Sequence, residues 1–331
     1  MNIGIVGLGL MGQIHITAWQ ATGAKIIAVH DHNADHAAQI AQTIGAKACT
    51  LEQLFELADV VDICTPTPHH KDITVAAARA GKHVVCEKPM ALTLADANAM
   101  IKACEEAGVR LFIAHVVRFF KQYQAAADSL ARGEIGRLGT LRLKRAGYQP
   151  AKTGDNWFLD SNRSGGVPLD LMVHDFDVAN WFAGISGAGR VTRVFARSTR
   201  SQRPEASGDV VLATLRFEHG AIAHLEGAWA YPIGVFRTGF DVAGTDGVLE
   251  WRSDEASSLQ SFLPAVTQGV AAVGLPILSG EPDPYHLQIA HVKHALETGA
   301  EFAVTPHDAL EALRLGLAVQ QSLTTGLVVT L

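Results

Sequence analysis

A glycine-rich turn between a short apolar run and a helical pattern is the feature that most constrains this fold. Residues 2–6 predict a β-strand and residues 12–21 predict a helix. The turn between them reads Gly7-Leu8-Gly9-Leu10-Met11-Gly12. Glycine-rich turns are common, but a G-x-G-x-x-G that follows a strand and opens a helix is typical of dinucleotide binding.

Each glycine of the turn has a physical role in such a site. Gly7 makes the tight turn, Gly9 lets a pyrophosphate approach the backbone, and Gly12 lets the helix pack closely on the strand. Leu10 and Met11 fall in the first helical turn, whose free N–H groups and positive dipole attract phosphates. We therefore expect these five residues to contact the cofactor.

An acidic residue at the end of the next strand predicts which dinucleotide is bound. Asp31 follows the last glycine by 19 residues, directly after the predicted strand 25–30. Its carboxylate can accept hydrogen bonds from ribose hydroxyls and would repel a 2′-phosphate. No arginine follows among residues 32–36, and His32 falls beside the predicted adenosine pocket. The pattern favours NAD over NADP, and the alternative is that Asp31 is an ordinary loop or cap aspartate.

The first 120 residues alternate strand and helix patterns. Such alternation predicts βαβ units with a parallel, doubly wound sheet. The predicted strands are 2–6, 25–30, 60–64, 82–85 and 110–113, and the predicted helices are 12–21, 33–43, 69–80 and 93–107. We assign residues 1–120 to an NAD-binding Rossmann domain.

After residue 119 the pattern changes. A helix over 119–132 precedes strand-like runs that follow one another through short turns, which predicts an α+β domain with an open, mainly antiparallel sheet. The predicted strands are 138–148, 191–200, 209–218, 220–230, 236–243 and 247–252, and the predicted helices are 168–183, 285–298 and 306–321. We assign residues 121–331 to a substrate-binding and oligomerisation domain. The final helices of the chain could pack back on the Rossmann domain.

Composition excludes several functional classes. The chain has 331 residues, 48% of them hydrophobic, and a net charge of −6, which argues against disorder and against nucleic-acid or anionic-membrane partners. The four cysteines form no C-x-x-C pair and no signal peptide begins the sequence, so we expect a reduced, cytoplasmic protein. The uncharged segment 256–280 is interrupted by prolines and glycines, and we interpret it as a buried or subunit-facing loop.

Fifteen histidines invite a metal interpretation. The groupings that suggest metal ligands are His30-x-His32-x-x-x-His36 and His291-x-x-His294. Neither has the companion ligands of a zinc signature, so we predict no metal site and exposed polar helix faces instead.

Three further stretches carry a family resemblance. They are Cys64-Thr65-Pro66-Thr67-Pro68-His69-His70, then Gly81-Lys82-His83-Val84-Val85-Cys86-Glu87-Lys88-Pro89, then Ser164-Gly165-Gly166-Val167-Pro168-Leu169-Asp170-Leu171-Met172-Val173-His174-Asp175-Phe176-Asp177. With the glycine turn, they make the chain resemble the glucose–fructose oxidoreductase/inositol dehydrogenase/MocA family, closest to its inositol and cyclic-polyol branch. The resemblance implies a Rossmann domain, a C-terminal domain built on an open sheet, and a homodimer or homotetramer joined through that sheet.

The resemblance also implies a catalytic set of Lys88, Asp170 and His174. Asp170 and His174 stand at i and i+4 of a predicted helix, where a carboxylate can orient an imidazole that accepts a proton. Lys88 follows a predicted strand, where its ammonium could hydrogen-bond the reacting oxygen. The plain alternative is a surface lysine and a helix-stabilising pair. Val167 and Val173 replace glycines that many family members have, which blurs the subfamily.

Further site residues follow from the matched stretches. The predicted cofactor contacts beyond the glycine turn, Asp31 and His32 are Thr65, Pro66, His70, Glu87, Lys88 and Arg118, with His70 near the nicotinamide and a cis peptide bond before Pro89. The substrate-side candidates are Asn156, Trp157, Tyr231 and Tyr285, although the two aromatics Trp157 and Tyr231 could equally be core residues.

These observations predict an NAD(H)-dependent dehydrogenase that oxidises a secondary alcohol of a cyclic polyol or sugar. The sugar could be inositol-like, an aldose or an anhydrosugar, and a hydroxy acid remains open. Two other classes are an NAD-dependent glycosidase with an internal redox cycle and a non-catalytic regulator that binds sugar and NAD.

The assignment of Asp31 predicts a cofactor preference. The carboxylate would accept hydrogen bonds from the ribose hydroxyls and repel a 2′-phosphate. We therefore expect kcat/KM to be higher with NAD than with NADP. Steady-state kinetics with both cofactors on one substrate measures the ratio. A clear preference for NADP would contradict the role given to Asp31.

Overall fold

The structure is a computed structural model that describes residues 1–150, 156–199, 210–254 and 283–331. The chain divides into two units. Unit 1 comprises Met1–Phe120 and Pro282–Leu310, and unit 2 comprises Lys121–Glu281 and Glu311–Leu331. The end of the chain is therefore shared, since residues 282–310 belong with the first 120 residues. The interpretation of segment 256–280 lies outside the described residues.

Unit 1 is built on a six-stranded parallel sheet in the order β3-β2-β1-β4-β5-β6. Its strands are β1 (Asn2–Val6), β2 (Lys25–His30), β3 (Lys47–Ala48), β4 (Val60–Ile63), β5 (His83–Glu87) and β6 (Leu111–Ala114). Its first helices are α1 (Leu10–Ala21), α2 (Ala34–Ile44), α3 (Leu51–Leu57), α4 (His70–Arg79) and α5 (Leu94–Glu106). The predicted doubly wound sheet is confirmed.

The sheet is buried because its strands are apolar on both faces. Its core includes Ile3, Ile5, Val85 and Phe112, all with no exposed surface, and Trp19 of α1 packs into the same cluster. Parallel sheets covered by helices require such continuous apolar strands. The edge strand β3 and the helix α3 were absent from the prediction because they are short.

A late helix also belongs to unit 1. The helix α9 (Pro284–Thr298) packs on α1, and Arg110 donates to the carbonyl oxygens of Ala295 at 2.5 Å and Ala300 at 2.6 Å. The Arg110 guanidinium lies 3.9 Å from the ring centroid of Phe302. A cation at a helix C-terminus satisfies its last carbonyls, so Arg110 fixes the end of α9 to this unit.

Unit 2 is built on a seven-stranded sheet in the order β12-β11-β7-β10-β9-β8-β13. Its strands are β7 (Leu138–Ala146), β8 (Val191–Thr199), β9 (Val210–Phe217), β10 (Ile222–Ala228), β11 (Arg237–Gly244), β12 (Val248–Arg252) and β13 (Val329–Thr330). Its helices are α6 (Lys121–Ala131), α7 (Ser161–Ser164) and α8 (Val173–Ile185), while α10 (Pro306–Thr325) is shared between the units. All pairs are antiparallel except β10 with β7, which confirms a mainly antiparallel sheet.

The helix predicted over 168–183 is not continuous. Residues Val167–Leu171 form a π-helical turn in which the Met172 N–H donates to the Val167 carbonyl at 2.9 Å, and α8 begins at Val173. A π turn accommodates one extra residue per turn and is frequent at functional sites. The prediction of one uninterrupted α-helix was wrong at this point.

A buried ion pair ties α8 to the sheet of unit 2. The Arg145 guanidinium on β7 donates to both carboxylate oxygens of Asp175, at 2.9 and 3.0 Å. The two side chains are 6% and 1% exposed. Nearby, the hydroxyls of Tyr123 and Thr238 are hydrogen-bonded at 3.0 Å. Because a charge is costly to bury unless it is paired, this contact fixes the start of α8 on β7.

In the part of the chain that the structure describes, no helix has both the length and the apolar character to cross a membrane. The longest of these helices, α10, has 20 residues and carries Asp308, Glu311 and Arg314.

The buried pair gives a stability prediction. Arg145→Met leaves the Asp175 carboxylate buried without its cation, and we expect the free energy of unfolding to fall by about 3–5 kcal/mol. Denaturant unfolding measures the change. Arg142→Met is the matched control on the same strand, β7. It removes an ion pair with Asp241 of β11 whose side chains are 58% and 20% exposed, and it should cost about 1 kcal/mol or less. Equal losses in the two variants would contradict the role of the buried pair.

Candidate active site

The glycine turn joins β1 to α1, and its backbone packs more closely on its neighbours than a residue with a Cβ would allow. Gly7 has φ +88°, and a Cβ there would lie 2.8 Å from the backbone of Cys64 and Thr65. A Cβ on Gly12 would overlap the carbonyl oxygen of Gly7. The first residues of α1 are therefore held at the carboxyl end of β1, as a dinucleotide site requires.

The N-terminus of α1 is open to a ligand. Gly9 is the N-cap residue, makes no side-chain cap, and has no atom within 4 Å of the position a Cβ would take. Leu10 is 50% exposed and Met11 is half-buried. An uncapped first turn presents N–H groups and the positive end of the helix dipole, so this end of α1 fits a pyrophosphate.

Asp31 is fixed against the glycine turn. Its Oδ2 accepts the Leu8 N–H at 2.8 Å, and its Oδ1 accepts the Asn33 N–H at 2.9 Å and lies 2.9 Å from His32 Nδ1. Its side chain is 8% exposed, while that of His32 is 97% exposed. The carboxylate is thus oriented beside the turn, where its remaining lone pairs can accept ribose hydroxyls.

The loop after β4 contributes a second part of the site. Thr65 follows this strand, and its hydroxyl is buried and makes no hydrogen bond to the described residues. Pro66 is the N-cap of a short 3₁₀ turn, Thr67–His69. A buried hydroxyl that lacks a partner is costly in a folded protein, so Thr65 fits a ligand-binding position.

His70 has a position that the sequence did not reveal. Its Nε2 lies 2.9 Å from the carbonyl oxygen of Thr65 and its Nδ1 lies 3.0 Å from that of Pro89. Burial lowers the pKa of His70, and the bonds to these carbonyls act in the opposite direction. Each ring nitrogen faces a main-chain carbonyl oxygen, so His70 lies between the loop after β4 and the loop after β5.

Lys88 directly follows the carboxyl end of β5. It therefore lies at the edge of the sheet where doubly wound folds bind their ligands. Its backbone N–H donates to Glu87 Oε2 at 3.0 Å, and its peptide bond to Pro89 is cis, as expected. Glu87 is 5% exposed and Lys88 is half-buried.

A buried polar cluster behind Lys88 was missed by the sequence reasoning. His15 on α1 lies between the carboxylates of Asp62 on β4 and Glu87 on β5, and the Trp19 indole donates to Asp62 at 2.7 Å. Two acidic residues inside apolar strands, Val60-Val61-Asp62-Ile63 and His83-Val84-Val85-Cys86-Glu87, were the available signal. Buried carboxylates need partners, and α1 carries one histidine.

Two other predicted residues of unit 1 lie in its core. Arg118 is 6% exposed, donates to the Ala303 carbonyl at 2.8 Å and lies 3.5 Å from the Asp308 carboxylate. Tyr285 is 5% exposed in the first turn of α9, where its N–H donates to Asp283. Both are therefore tied to the segment 283–310 that completes this unit.

Asp170 and His174 belong to unit 2 and flank the junction between the π turn and α8. Asp170 lies in the π turn and His174 in the first turn of α8, with Met172 as the N-cap between them. His174 is 9% exposed, and its neighbour Asp175 points to Arg145. The two residues still stand one turn apart, but on two helical segments rather than one.

The substrate-side candidates of unit 2 have the following places. Asn156 is the N-cap of the 3₁₀ turn Trp157–Leu159, and its Nδ2 donates to the Pro150 carbonyl at 2.9 Å. The Trp157 ring stacks on Phe158 with centroids 4.2 Å apart. The Tyr231 ring is half-buried and lies 5.6 Å from Lys144 Nζ.

The histidine groupings are occupied by local contacts. His30 Nδ1 lies 2.9 Å from the Cys49 carbonyl, and His291 Nε2 accepts the Ala303 N–H at 2.8 Å. His291 is half-buried and also packs against the Phe119 ring, so this face of α9 is more buried than expected. The exposed-face interpretation suits His294, which is exposed.

Known proteins share both halves of this arrangement. Residues 1–115 match the GFO/IDH/MocA oxidoreductase family with its NAD-binding Rossmann fold, and residues 123–250 match a C-terminal domain of that family. A 1,5-anhydro-D-fructose reductase of Ensifer adhaerens is 33% identical, covering 94% of this chain and 92% of that protein. A myo-inositol 2-dehydrogenase of Thermotoga maritima is 29% identical, covering 98% and 96%.

A solved structure shows the same fold. A probable dehydrogenase from Thermotoga maritima superposes with a TM-score of 0.86 at 27% identity, covering 100% of this chain and 98% of that one. With the glycine turn, the Glu-Lys-Pro strand end and the helix of His174, these matches establish the lineage. The chain belongs to the glucose–fructose oxidoreductase/inositol dehydrogenase/MocA family of NAD-binding oxidoreductases.

Proposed function

We propose that this protein is an NAD-linked dehydrogenase that oxidises a secondary alcohol of a cyclic polyol or sugar. The observation that carries the proposal is Lys88, whose main chain is fixed at the same sheet edge as the glycine turn. The relatives support the substrate class, because 1,5-anhydro-D-fructose and myo-inositol are small rings that bear hydroxyl groups.

The chemistry divides among three side chains. His174 accepts the proton of the substrate hydroxyl, a task suited to an imidazole because it titrates near neutral pH. Asp170, one turn earlier, orients that imidazole and favours its charged form. The Lys88 ammonium hydrogen-bonds the reacting oxygen and stabilises negative charge that develops on it.

The cofactor supplies the hydride acceptor. Gly7, Gly9, Leu10, Met11 and Gly12 would hold its pyrophosphate, and Asp31 with His32 would border the adenosine ribose. Thr65 would complete the pocket with its buried hydroxyl, and Pro66, His70, Glu87 and Arg118 would shape the surrounding loops. The substrate-side residues are proposed to be Asn156, Trp157, Tyr231 and Tyr285.

Two other functions use the same fold. A glycosidase with an internal redox cycle would release sugar without net reduction of NAD, and a regulator would bind sugar and NAD without turnover. The presence of Lys88, Asp170 and His174 together argues against a regulator. Absorbance at the NADH band, recorded with inositols, aldoses and anhydrosugars, distinguishes the three: we expect net NADH formation with at least one ring alcohol. Sugar release without NADH, or binding without either, would contradict the proposal.

The role of His174 gives a kinetic prediction. Loss of a general base typically lowers turnover 10²–10⁴-fold, so we expect His174→Ala to lower kcat by about that factor. The Kd of NAD, measured by fluorescence titration, should change little, because the proposed pyrophosphate site lies in unit 1. His294→Ala, which removes an exposed histidine elsewhere, is the control and should keep the wild-type kcat. An unchanged kcat in His174→Ala would remove this residue from the mechanism.

We further propose a homodimer or homotetramer joined through the open face of the unit 2 sheet, in the reducing cytoplasm. On β9 the side chains alternate, with Val211, Ala213 and Leu215 buried and Leu212 55% exposed. The neighbouring strand β8 presents Phe195, which is 36% exposed. Exposed apolar residues on one sheet face support an interface. The four cysteines are free thiols, in keeping with a reducing compartment.

The proposed interface predicts an effect of charge on assembly. Leu212→Glu would bury a carboxylate in a homo-oligomer, so we expect light scattering after size exclusion to show a shift to the monomer mass. Ile233→Glu is the control, because Ile233 is 73% exposed and lies outside the strands. If both variants keep the wild-type mass, the open face is not the interface.

A further inference from the structure

The His15 imidazole is buried between two carboxylates. It has no exposed surface and stands on α1, three residues after the last glycine of the turn. Its Nδ1 lies 2.9 Å from Asp62 Oδ2 and 3.1 Å from Asp62 Oδ1. Its Nε2 lies 3.1 Å from Glu87 Oε1. Each ring nitrogen therefore faces an acid.

Hydrogen-bond accounting favours a doubly protonated His15 in this cluster. Asp62 also receives the Trp19 N–H at 2.7 Å and the Cys64 thiol at 3.5 Å, and Glu87 Oε2 receives the Lys88 N–H. An ionised carboxylate only accepts, so with both acids ionised the two nitrogens of His15 both donate. A doubly protonated imidazole carries a positive charge, which compensates part of the buried negative charge.

A metal ion is the alternative explanation of such a cluster. The ligand atoms of His15, Asp62 and Cys64 all lie within 4.8 Å of one another. However, Cys64 Sγ lies 3.5 Å from Asp62 Oδ1, which is the separation of a thiol hydrogen bond. The separations of 2.9 and 3.1 Å between His15 and Asp62 are hydrogen-bond lengths. Protons, rather than a metal, account for the contacts.

We propose that His15 is a positioning residue that holds Lys88 in place through Glu87. The chain of contacts runs from Asp62 to His15, from His15 to one Glu87 oxygen, and from the other Glu87 oxygen to the Lys88 N–H. When one oxygen of a carboxylate accepts a hydrogen bond from a buried cation, the orientation of its second oxygen is fixed as well. His15 thereby fixes the main chain from which the Lys88 ammonium extends, and this consequence for catalysis rests on the proposed function.

The charge of His15 is maintained by its surroundings. Burial alone would lower the pKa of His15, but the Asp62 carboxylate and the Cys64 side chain raise it well above its ordinary value. The titratable groups that face the ring are Asp62 on β4, Cys64 directly after β4, and Glu87 on β5. Because the folded-state pKa is raised, this stabilisation is fully present below about pH 6.5, the unfolded value, and is lost as pH rises through the folded value.

Hydrogen exchange tests the positioning role without reference to activity. The shorter amide introduced by His15→Gln cannot donate to both acids. Glu87→Gln replaces the carboxylate that contacts His15 and the Lys88 N–H with an amide. In both variants we expect exchange at the Lys88 amide, followed by NMR, to be faster by about tenfold, as expected for one lost hydrogen bond to a charged group. Trp19→Phe is the matched control, since it removes a different donor to Asp62 and leaves the contacts from His15 to Lys88.

The comparison separates positioning from general loss of stability. The Phe112 amide on β6 serves as an internal reference, and exchange at Lys88 is compared with it in each variant. Exchange at Lys88 that rises no more in His15→Gln than in Trp19→Phe would overturn the proposal. If His15→Gln does not fold, ¹⁵N spectra of the wild-type histidine ring decide: we expect both ring nitrogens protonated near neutral pH. A singly protonated ring, or stoichiometric metal in the purified protein, would overturn it.

Kinetics test the consequence for catalysis. We expect His15→Gln to lower kcat about tenfold or more with little change in the Kd of NAD, the tenfold figure corresponding to one lost charge-assisted contact. The double variant with Glu87→Gln should lose no more than the single one, because residues that act through one another are not additive. Additive losses would contradict the link through Glu87. If the wild-type protein oxidises no ring alcohol, the proposed function fails, while the exchange experiment still decides the role of His15.

Discussion

The close approach of Gly12 to the Gly7 carbonyl is the constraint on which the rest of unit 1 depends. A side chain at Gly12 would overlap that oxygen and push α1 away from β1. With α1 in place, its uncapped N-terminus stands at the end of β1 and its buried face delivers His15 and Trp19 to the sheet. The absence of a side chain at Gly12 therefore positions both the proposed pyrophosphate site and the polar cluster around His15.

Both units contain a buried carboxylate that is paired with a basic side chain. In unit 1 the buried Glu87 is held by His15, and in unit 2 the buried Asp175 is held by Arg145. Each of these carboxylates is the sequence neighbour of a proposed catalytic residue, Lys88 in the first case and His174 in the second. Buried charges are costly unless paired, and a paired charge has few orientations. The arrangement uses that restriction to fix the main chain beside a reactive side chain.

Much of the fold could be predicted because its signals are local. The strands and helices of the Rossmann unit follow from apolar runs and from the glycine turn, and the family motifs marked Lys88, Asp170 and His174. The edge strand β3 and the helix α3 were missed because two and seven residues give too short a pattern. The parallel pairing of β10 with β7 was missed because strand order is set by long-range contacts, which a run of successive strands does not reveal.

The site was harder to predict where it depends on distant residues. In the π turn the Met172 N–H donates to Val167, five residues earlier instead of the four of an α-helix, and periodicity does not resolve this difference. The His15 cluster joins three elements separated by 47 and 72 residues in sequence, so only the unexplained acids in two apolar strands signalled it. The contacts of His70 were likewise hidden, because its partners are backbone carbonyls and leave no trace in residue type.

In the proposed reaction, hydride leaves a ring carbon of a secondary alcohol and reaches NAD. The most direct measurement uses the ring alcohol that reduces NAD, deuterated at its carbinol carbons, with mass spectrometry of the cofactor and of the sugar product. We expect one deuterium in the reduced cofactor for each ketone formed. Reduced cofactor without deuterium, or deuterium returned to the sugar with no net reduction of NAD, would contradict it.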